Sequence, residues 1–316
     1  MSFWWREIGG VTVVKTCSGK KSSSRPQRLM LGTCALKLGV PRIMGIVNNT
    51  PDSFSGDGFA GNIESAIAVG NSRFESGADV VDVGGESTRP GAKPVPRDIE
   101  ISRTVPIIEA LVRIRPGRVS VDTMKPEVAE AALFAGASVV NDVSGLRDHR
   151  MVEIVAEHDA GVIIMHMQGE PHTMQVNPKY KDVVADIKSF LEERIAAAED
   201  GGIASRRIMI DPGIGFGKTV NHNLEVLARL REFKSLGKPL VIGVSRKGFI
   251  GKISGAPADQ RLPGSIAVAV LAVKEGADVV RVHDVPETVQ ALKLEQAIQS
   301  FNHGARRETK LTQKVF

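Results

Sequence analysis

VSVDTMKPEVAEAALFAGASVVND, residues 119–142, reads as one strand–helix–strand unit. Val119–Val121 is a short β-branched run that stops at Asp122, Glu127–Phe134 has a helix-forming composition, and Ser138–Val140 is a second run that stops at Asn141-Asp142. Branched side chains suit a pleated backbone, whereas alanine, leucine and glutamate suit a helix. Working outward in both directions, the same unit recurs. Ile43–Val47 leads into Asn48, Val80–Val83 into Gly84-Gly85-Glu86, Val162–Met165 into His166, and Ile208–Ile210 into Asp211. Leu240–Val244 leads into Ser245-Arg246-Lys247, and Asp278–Val282 contains Arg281 and ends at His283. Ile63–Ser76 is another helical interval. Eight such runs alternating with helical stretches predict an α/β fold, a (β/α)8 TIM barrel. Loops after the strands build the active site in that fold, so polar strand ends are candidate working groups.

Composition narrows the function classes. The chain has 316 residues, enough for one barrel of about 250 residues with extensions. No apolar run reaches the roughly 18 residues that span a membrane. The formal charge of +5 invites a nucleic-acid reading, but its location argues against one. Six Lys/Arg stand against one Glu in residues 1–29 and four against one in residues 302–316, so the stretch between is slightly acidic. One tyrosine and no interleaving of aromatic with basic residues also speak against a nucleic-acid surface. Cys17 and Cys34 are the only cysteines, which excludes a disulfide framework and fits a reducing cytoplasm.

The organisation is a basic, Ser-rich lead (residues 1–29) expected to be disordered, one barrel domain (30–301) and a polar tail (302–316). The lead lacks the h-region and cleavage site of a secretory signal. A transit peptide and an over-extended start with Met30 as initiator both stay open. Three long connections, Asn49–Asn62, Gly84–Arg97 and Gln168–Tyr180, should emerge on the same face, and loops of that length are commonly functional.

Several constellations carry chemistry. DPGIGFGKT, residues 211–219, is not a Walker loop, because Pro212 stands where the first glycine is required. It reads as a glycine-permitted turn that lets a flat ligand approach the backbone. Asp122 and Asp211 could be helix N-caps, but two carboxylates and Asn141 around one barrel mouth suit an aminopyrimidine edge. Arg281 and His283 lie two apart on a strand and share a face, where they could hold a phosphate. The competing reading is an internal ion pair with Asp284 or a neighbouring carboxylate. His166 reads as a core histidine, with Met165 as the ligand contact. No nucleophile with a paired base is evident, which favours positioning and leaving-group stabilisation.

These segments closely resemble the dihydropteroate synthase family, from about Leu36 to Phe301. The resemblance rests on IMGIVNNTPDSFS (43–55), DVGGESTRPG (82–91), VSVDT (119–123), MHMQG (165–169), DPGIGFGK (211–218), SRK (245–247) and RVHD (281–284), in this order. It implies a barrel of the pterin-binding type. It also implies a folate-pathway transferase that joins 4-aminobenzoate to (7,8-dihydropterin-6-yl)methyl diphosphate with Mg2+. Asp122, Asn141 and Asp211 would hold the pterin edge, Lys247 its oxo side, and Met165 would pack on the ring. Asn48 would ligate Mg2+, while Arg281 and His283 would bind the diphosphate. Lys247, Arg281 and His283 would be the catalytic groups. Phe54, Thr88, Arg89, Pro90 and Phe216 would shape the 4-aminobenzoate pocket, with Thr88 also touching the pterin diphosphate. Asn49, beside Asn48, stands where relatives have a small aliphatic residue. The family suggests a cytoplasmic homodimer formed through C-terminal helices. Two alternatives stand beside it: a pterin-binding methyltransferase-like barrel and a degenerate, non-catalytic barrel.

Overall fold

The computed structural model describes residues 28–50, 62–89 and 91–302. Its centre is a sheet of eight parallel strands: β3 (Arg42–Asn48), β4 (Val80–Gly84), β5 (Val119–Asp122), β6 (Val139–Asp142), β7 (Gly161–Met165), β8 (Ile208–Asp211), β9 (Val241–Gly243) and β10 (Val279–Val282). Each strand pairs with its neighbour, β10 pairs with β3, and the Ile210–Leu240 bridge joins β8 to β9 and closes the ring. All eight predicted runs are strands, displaced by at most two residues at an end.

Nine helices cover the ring among the described residues: α1 (Ile63–Glu75), α2 (Arg97–Ile114), α3 (Pro126–Phe134), α4 (His149–Glu157), α5 (Val183–Asp200), α6 (Val220–Ala228), α7 (Gly248–Ser254), α8 (Leu262–Lys274) and α9 (Val285–Asn302). Their starts follow local chemistry. Pro126 opens α3, where its missing N–H costs nothing, and Asp182 caps α5 by accepting from Val184 and Ala185 N–H. The short α7, between β9 and α8, is an addition to the regular alternation. No helix among the described residues is long and apolar enough to cross a membrane.

Period-two alternation sorts each strand into two faces. Val81, Val83, Val119, Val121, Val140, Val162, Ile164, Ile208, Ile210 and Val280 face the helices in the main core. Between them, Met44, Val80, Val139, Ile163, Met209, Val241 and Val279 face inward and form a second apolar cluster low in the barrel. That cluster is completed by an antiparallel hairpin the sequence reading did not anticipate: β1 (Arg28–Leu31) and β2 (Cys34–Lys37). Leu29, Leu31 and Leu36 are buried in it, each contributing about 1.5–3 kcal/mol by burial. Arg207 staples the hairpin by donating to the Gly32 carbonyl at 2.8 Å. Described structure therefore begins at Arg28, inside the stretch expected to be a disordered lead.

One step further along the strands, the inward positions change character. Asp82, Ser120, Asp122, Asn141, Asp211 and Arg281 follow the apolar layer, so the lumen is oily below and polar above. That transition positions the site.

Candidate active site

Asp122 and Arg281 of the polar layer line a cavity of about 670 Å³, a size suited to a small-molecule ligand, with Asp82, Ser120, Asn141 and Asp211 buried behind that lining. Asn48, Thr88, Arg89, Asp122, Phe216, Lys247, Arg281 and His283, all candidates from the sequence, line it together. Asn141, Met165 and Asp211 end adjacent strands and are almost fully buried. Met165 packs in a cluster with Val143, Met167 and Met174, against which Phe216 is seated. Phe54 and Pro90 lie outside the described residues.

Arg281 is the electrostatic centre of the polar layer. Its Nε donates to Asp82 Oδ2 and its Nη2 to Asp122 Oδ2, both at 2.6 Å. The internal ion pair considered from the sequence thus exists, with neighbouring carboxylates and not with Asp284. Asp284 instead takes the guanidinium of Arg246, at 2.5 and 3.1 Å. Asp82 was missed as a site residue. Asn141 Nδ2 also donates to it at 3.1 Å, and it is fully buried. The available signal was a carboxylate at an inward position of an otherwise apolar strand.

Burial pushes the Asp122 carboxyl up to about 7, against the pull of the Arg281 cation. Burial also raises Asp211, although the Gly213 N–H donating to its Oδ1 at 2.7 Å favours the ionised form. The same desolvation lowers the Lys247 ammonium to about 8, with Asp211 pulling the other way. Lys247 Nζ sits 4.4 Å from the Phe216 ring centroid, a cation–π contact worth about 0.5–2 kcal/mol.

His283 is held well below its ordinary range by burial and by the Arg281 and Arg246 cations, so its ring is neutral. Ser245 Oγ accepts the His283 backbone N–H at 3.3 Å and lies 3.0 Å from Nδ1. The two contacts orient the neutral ring at the cavity wall. The sequence suggested a second cation here. The structure provides a neutral imidazole.

Two loops frame the mouth. The connection after β4 is tied at its base by Lys125, which bridges Glu86 and the buried Glu100, while Val95 N–H donates to Glu86 at 2.9 Å. Arg103 donates to the Gly85 carbonyl at 3.0 Å, and Asn49 Nδ2 donates to the Arg103 carbonyl at 3.0 Å. Asn49 thus turns away from the lumen into the helix layer, separate from Asn48. The turn after β8 requires glycine. At Gly213 φ is +70°, and a Cβ there would meet the His166 carbonyl oxygen at 1.9 Å.

The residue pattern of the family described as pterin binding enzyme matches residues 44–283. A dihydropteroate synthase of Escherichia coli (strain K12) is 44% identical over 274 residues, which is 87% of this chain and 97% of that protein. The chain belongs to the dihydropteroate synthase family. Two solved structures show how closely the family's fold is shared. Dihydropteroate synthase of Xanthomonas albilineans with 4-aminobenzoic acid has a TM-score of 0.81 and 47% identity, over 87% of this chain and 98% of that one. The same organism's dihydropteroate synthase in complex with 7,8-dihydropteroate has a TM-score of 0.78 and 45% identity, over 86% and 99%.

Proposed function

We infer that the chain joins 4-aminobenzoate to (7,8-dihydropterin-6-yl)methyl diphosphate, giving 7,8-dihydropteroate and diphosphate. One observation carries the inference. Asp122 lines the cavity, and its Oδ1 is buried with no hydrogen-bond partner among the described residues. A buried acceptor left unmet costs about 1–3 kcal/mol, so a cavity wall that keeps one suits a ligand with N–H donors. A pterin edge supplies them. Asp122, Asn141 and Asp211 hold that edge, Lys247 takes the oxo side, and Met165 lies under the ring. Arg281 reaches the diphosphate from between its carboxylates, beside the neutral ring of His283. Thr88, Arg89 and Phe216 shape the 4-aminobenzoate site.

The chemistry asks little of a base. An arylamine is a neutral nucleophile at pH 7, and it sheds one proton to water after the new C–N bond forms. The demanding event is departure of diphosphate from the methylene carbon. Electron release from the dihydropterin favours an SN1-like order, in which the C–O bond breaks before the amine attacks. Deuterium at that methylene should then give a normal secondary isotope effect; a value near unity would point to a concerted displacement.

Mg2+ fits the donors present. Among the described residues no group of three or more His, Cys, Asp or Glu could hold a metal. Asn48 offers a single hard oxygen at the cavity wall, beside Gly84. Mg2+ commonly keeps several waters and relies on substrate phosphates, so one amide oxygen plus a diphosphate is a suitable set. When bound, the ion would neutralise charge on the departing diphosphate.

The test is diphosphate release from the pterin substrate, with and without 4-aminobenzoate and a metal chelator. Release that needs both 4-aminobenzoate and Mg2+ supports the reading. Absence of release favours the methyltransferase-like or degenerate alternatives. Binding should also follow pH in a defined way. Below about 7 Asp122 takes up a proton and loses its acceptor role, and above about 8 Lys247 loses its charge. Affinity for a dihydropterin lacking phosphates should therefore be greatest between these limits, and Lys247→Arg should remove the alkaline limb. A flat calorimetric profile would count against both roles.

A homodimer is part of the proposal. Leu271 on α8 and Leu294, Ile298 and Phe301 on α9 are exposed by 60–81%, an apolar display on two adjoining helices. Light scattering should give twice the chain mass, and Leu294→Glu should shift it toward the monomer. We also place the chain in the cytoplasm, which its two cysteines support and cell fractionation can check.

A further inference from the structure

Lys218 is nearly inaccessible, at 3% exposure, yet it borders the cavity. Its Nζ lies 3.0 Å from His166 Nδ1, 2.9 Å from the Gly213 carbonyl oxygen and 3.0 Å from that of Phe216. Burial lowers the Lys218 ammonium to about 7, and in its charged form its three donors meet three acceptors. The imidazole can accept at Nδ1 because burial and the Lys218 charge hold His166 neutral, down to about 2. His166 is itself fixed by the edge of Phe190, at 5.1 Å between ring centroids. A buried lysine whose direct partners are all neutral is costly to keep, and the reaction derived above makes no use of it.

The segment it grips explains its presence. Gly213, Gly215 and Gly217 all have positive φ, at +70°, +87° and +59°. Such a turn has unusual freedom to lose, so side-chain ties must hold it. Gln175 and Tyr180 tie it from above, donating to the Gly215 and Gly217 carbonyls at 2.7 and 2.8 Å. Lys218 alone among these three spans it, binding carbonyls at residues 213 and 216. The ring of Phe216 then meets Lys247.

We propose that Lys218, anchored on His166, is a positioning residue that fixes Phe216 as the wall against which 4-aminobenzoate is held. The role rests on the reaction assigned above. Lys218 touches no reacting atom; it acts through the turn. Loss of its three bonds should loosen the arylamine site while leaving the pterin site, whose edge is held from β5, β6 and β8, largely as it was.

The experiment combines steady-state kinetics with dihydropterin calorimetry on Lys218→Met, Phe216→Leu and the double variant. Lys218→Met should raise the 4-aminobenzoate KM by about tenfold or more, with the dihydropterin Kd within about threefold of the parent. In the Phe216→Leu background the same substitution should add less than about threefold, because residues acting through one contact are not additive. A second pair guards against a Lys218 variant that does not fold. His166→Asn keeps an acceptor near the place of Nδ1 and should leave the KM close to the parent, whereas His166→Leu should raise it. An unchanged KM in Lys218→Met, full additivity with Phe216→Leu, or equal KM values for the two His166 variants would overturn the role. A parent enzyme that releases no diphosphate with 4-aminobenzoate would instead sink the reaction itself, and this role with it.

Discussion

Replacing Asp211 by Asn should weaken dihydropterin binding by about thirtyfold to several thousandfold. The estimate follows from the roughly 2–5 kcal/mol lost when one partner of a buried, charge-assisted hydrogen-bonded pair is truncated. The substitution is chosen to leave the scaffold alone. Asp211 Oδ1 accepts from Gly213 N–H at 2.7 Å, and an amide oxygen can keep that bond. What Asn lacks is a second acceptor, and it turns an NH2 toward a ligand edge that also carries donors. Two donors would then face each other in a site with little water. Calorimetry with a phosphate-free dihydropterin measures the effect directly, and unchanged affinity would remove Asp211 from the pterin site.

The second large effect concerns stability as well as activity. Arg281→Met should destabilise the fold by about 3–5 kcal/mol, because it leaves two buried carboxylates without their cation. Asp82 is wholly buried and Asp122 nearly so. Asp122 can lessen the penalty by holding a proton, since burial already favours its neutral form. A carboxyl whose folded pKa exceeds its unfolded value binds more protons in the native state, so stability falls as pH rises. The variant should accordingly lose most stability above neutral pH and recover toward pH values of about 5. Adding Asp82→Asn should restore part of the stability by removing one charge, yet turnover should stay at least about a hundredfold below the parent. Denaturant melts and diphosphate release on the same samples separate the two effects. Recovery of activity along with stability would show that Arg281 serves the fold alone.

The strand ends were legible because a strand's face alternates with period two and because a barrel gathers its strand termini at one mouth. Asp122, Asn141, Asp211, Lys247, Arg281 and His283 could all be named on that basis. Their partners could not. Asp82 is 199 residues from Arg281, and Asp122 is 159 residues away. Which carboxylate meets which cation depends on register around a closed ring, and no local pattern encodes that. The same limit hid the neutrality of His283, which follows from burial and from the Arg281 and Arg246 cations gathered around it. His166 and Lys218 each read as ordinary alone, a core histidine and a lysine outside any phosphate loop. Their contact across 52 residues gives them a shared role. The β1–β2 hairpin escaped for a simpler reason. Two four-residue strands carry too short an alternation to stand out from a basic lead.

That hairpin has a consequence for traffic. With Leu29, Leu31 and Leu36 buried at the lower end, the barrel is closed there among the described residues, and its cavity lies at the other end. Whatever rests on its floor arrived through the rim and must leave the same way. On the proposed seating, with the pterin at Asp122 and 4-aminobenzoate against Phe216 and Thr88, both substrates would share that entrance, and the pterin would have to be seated first.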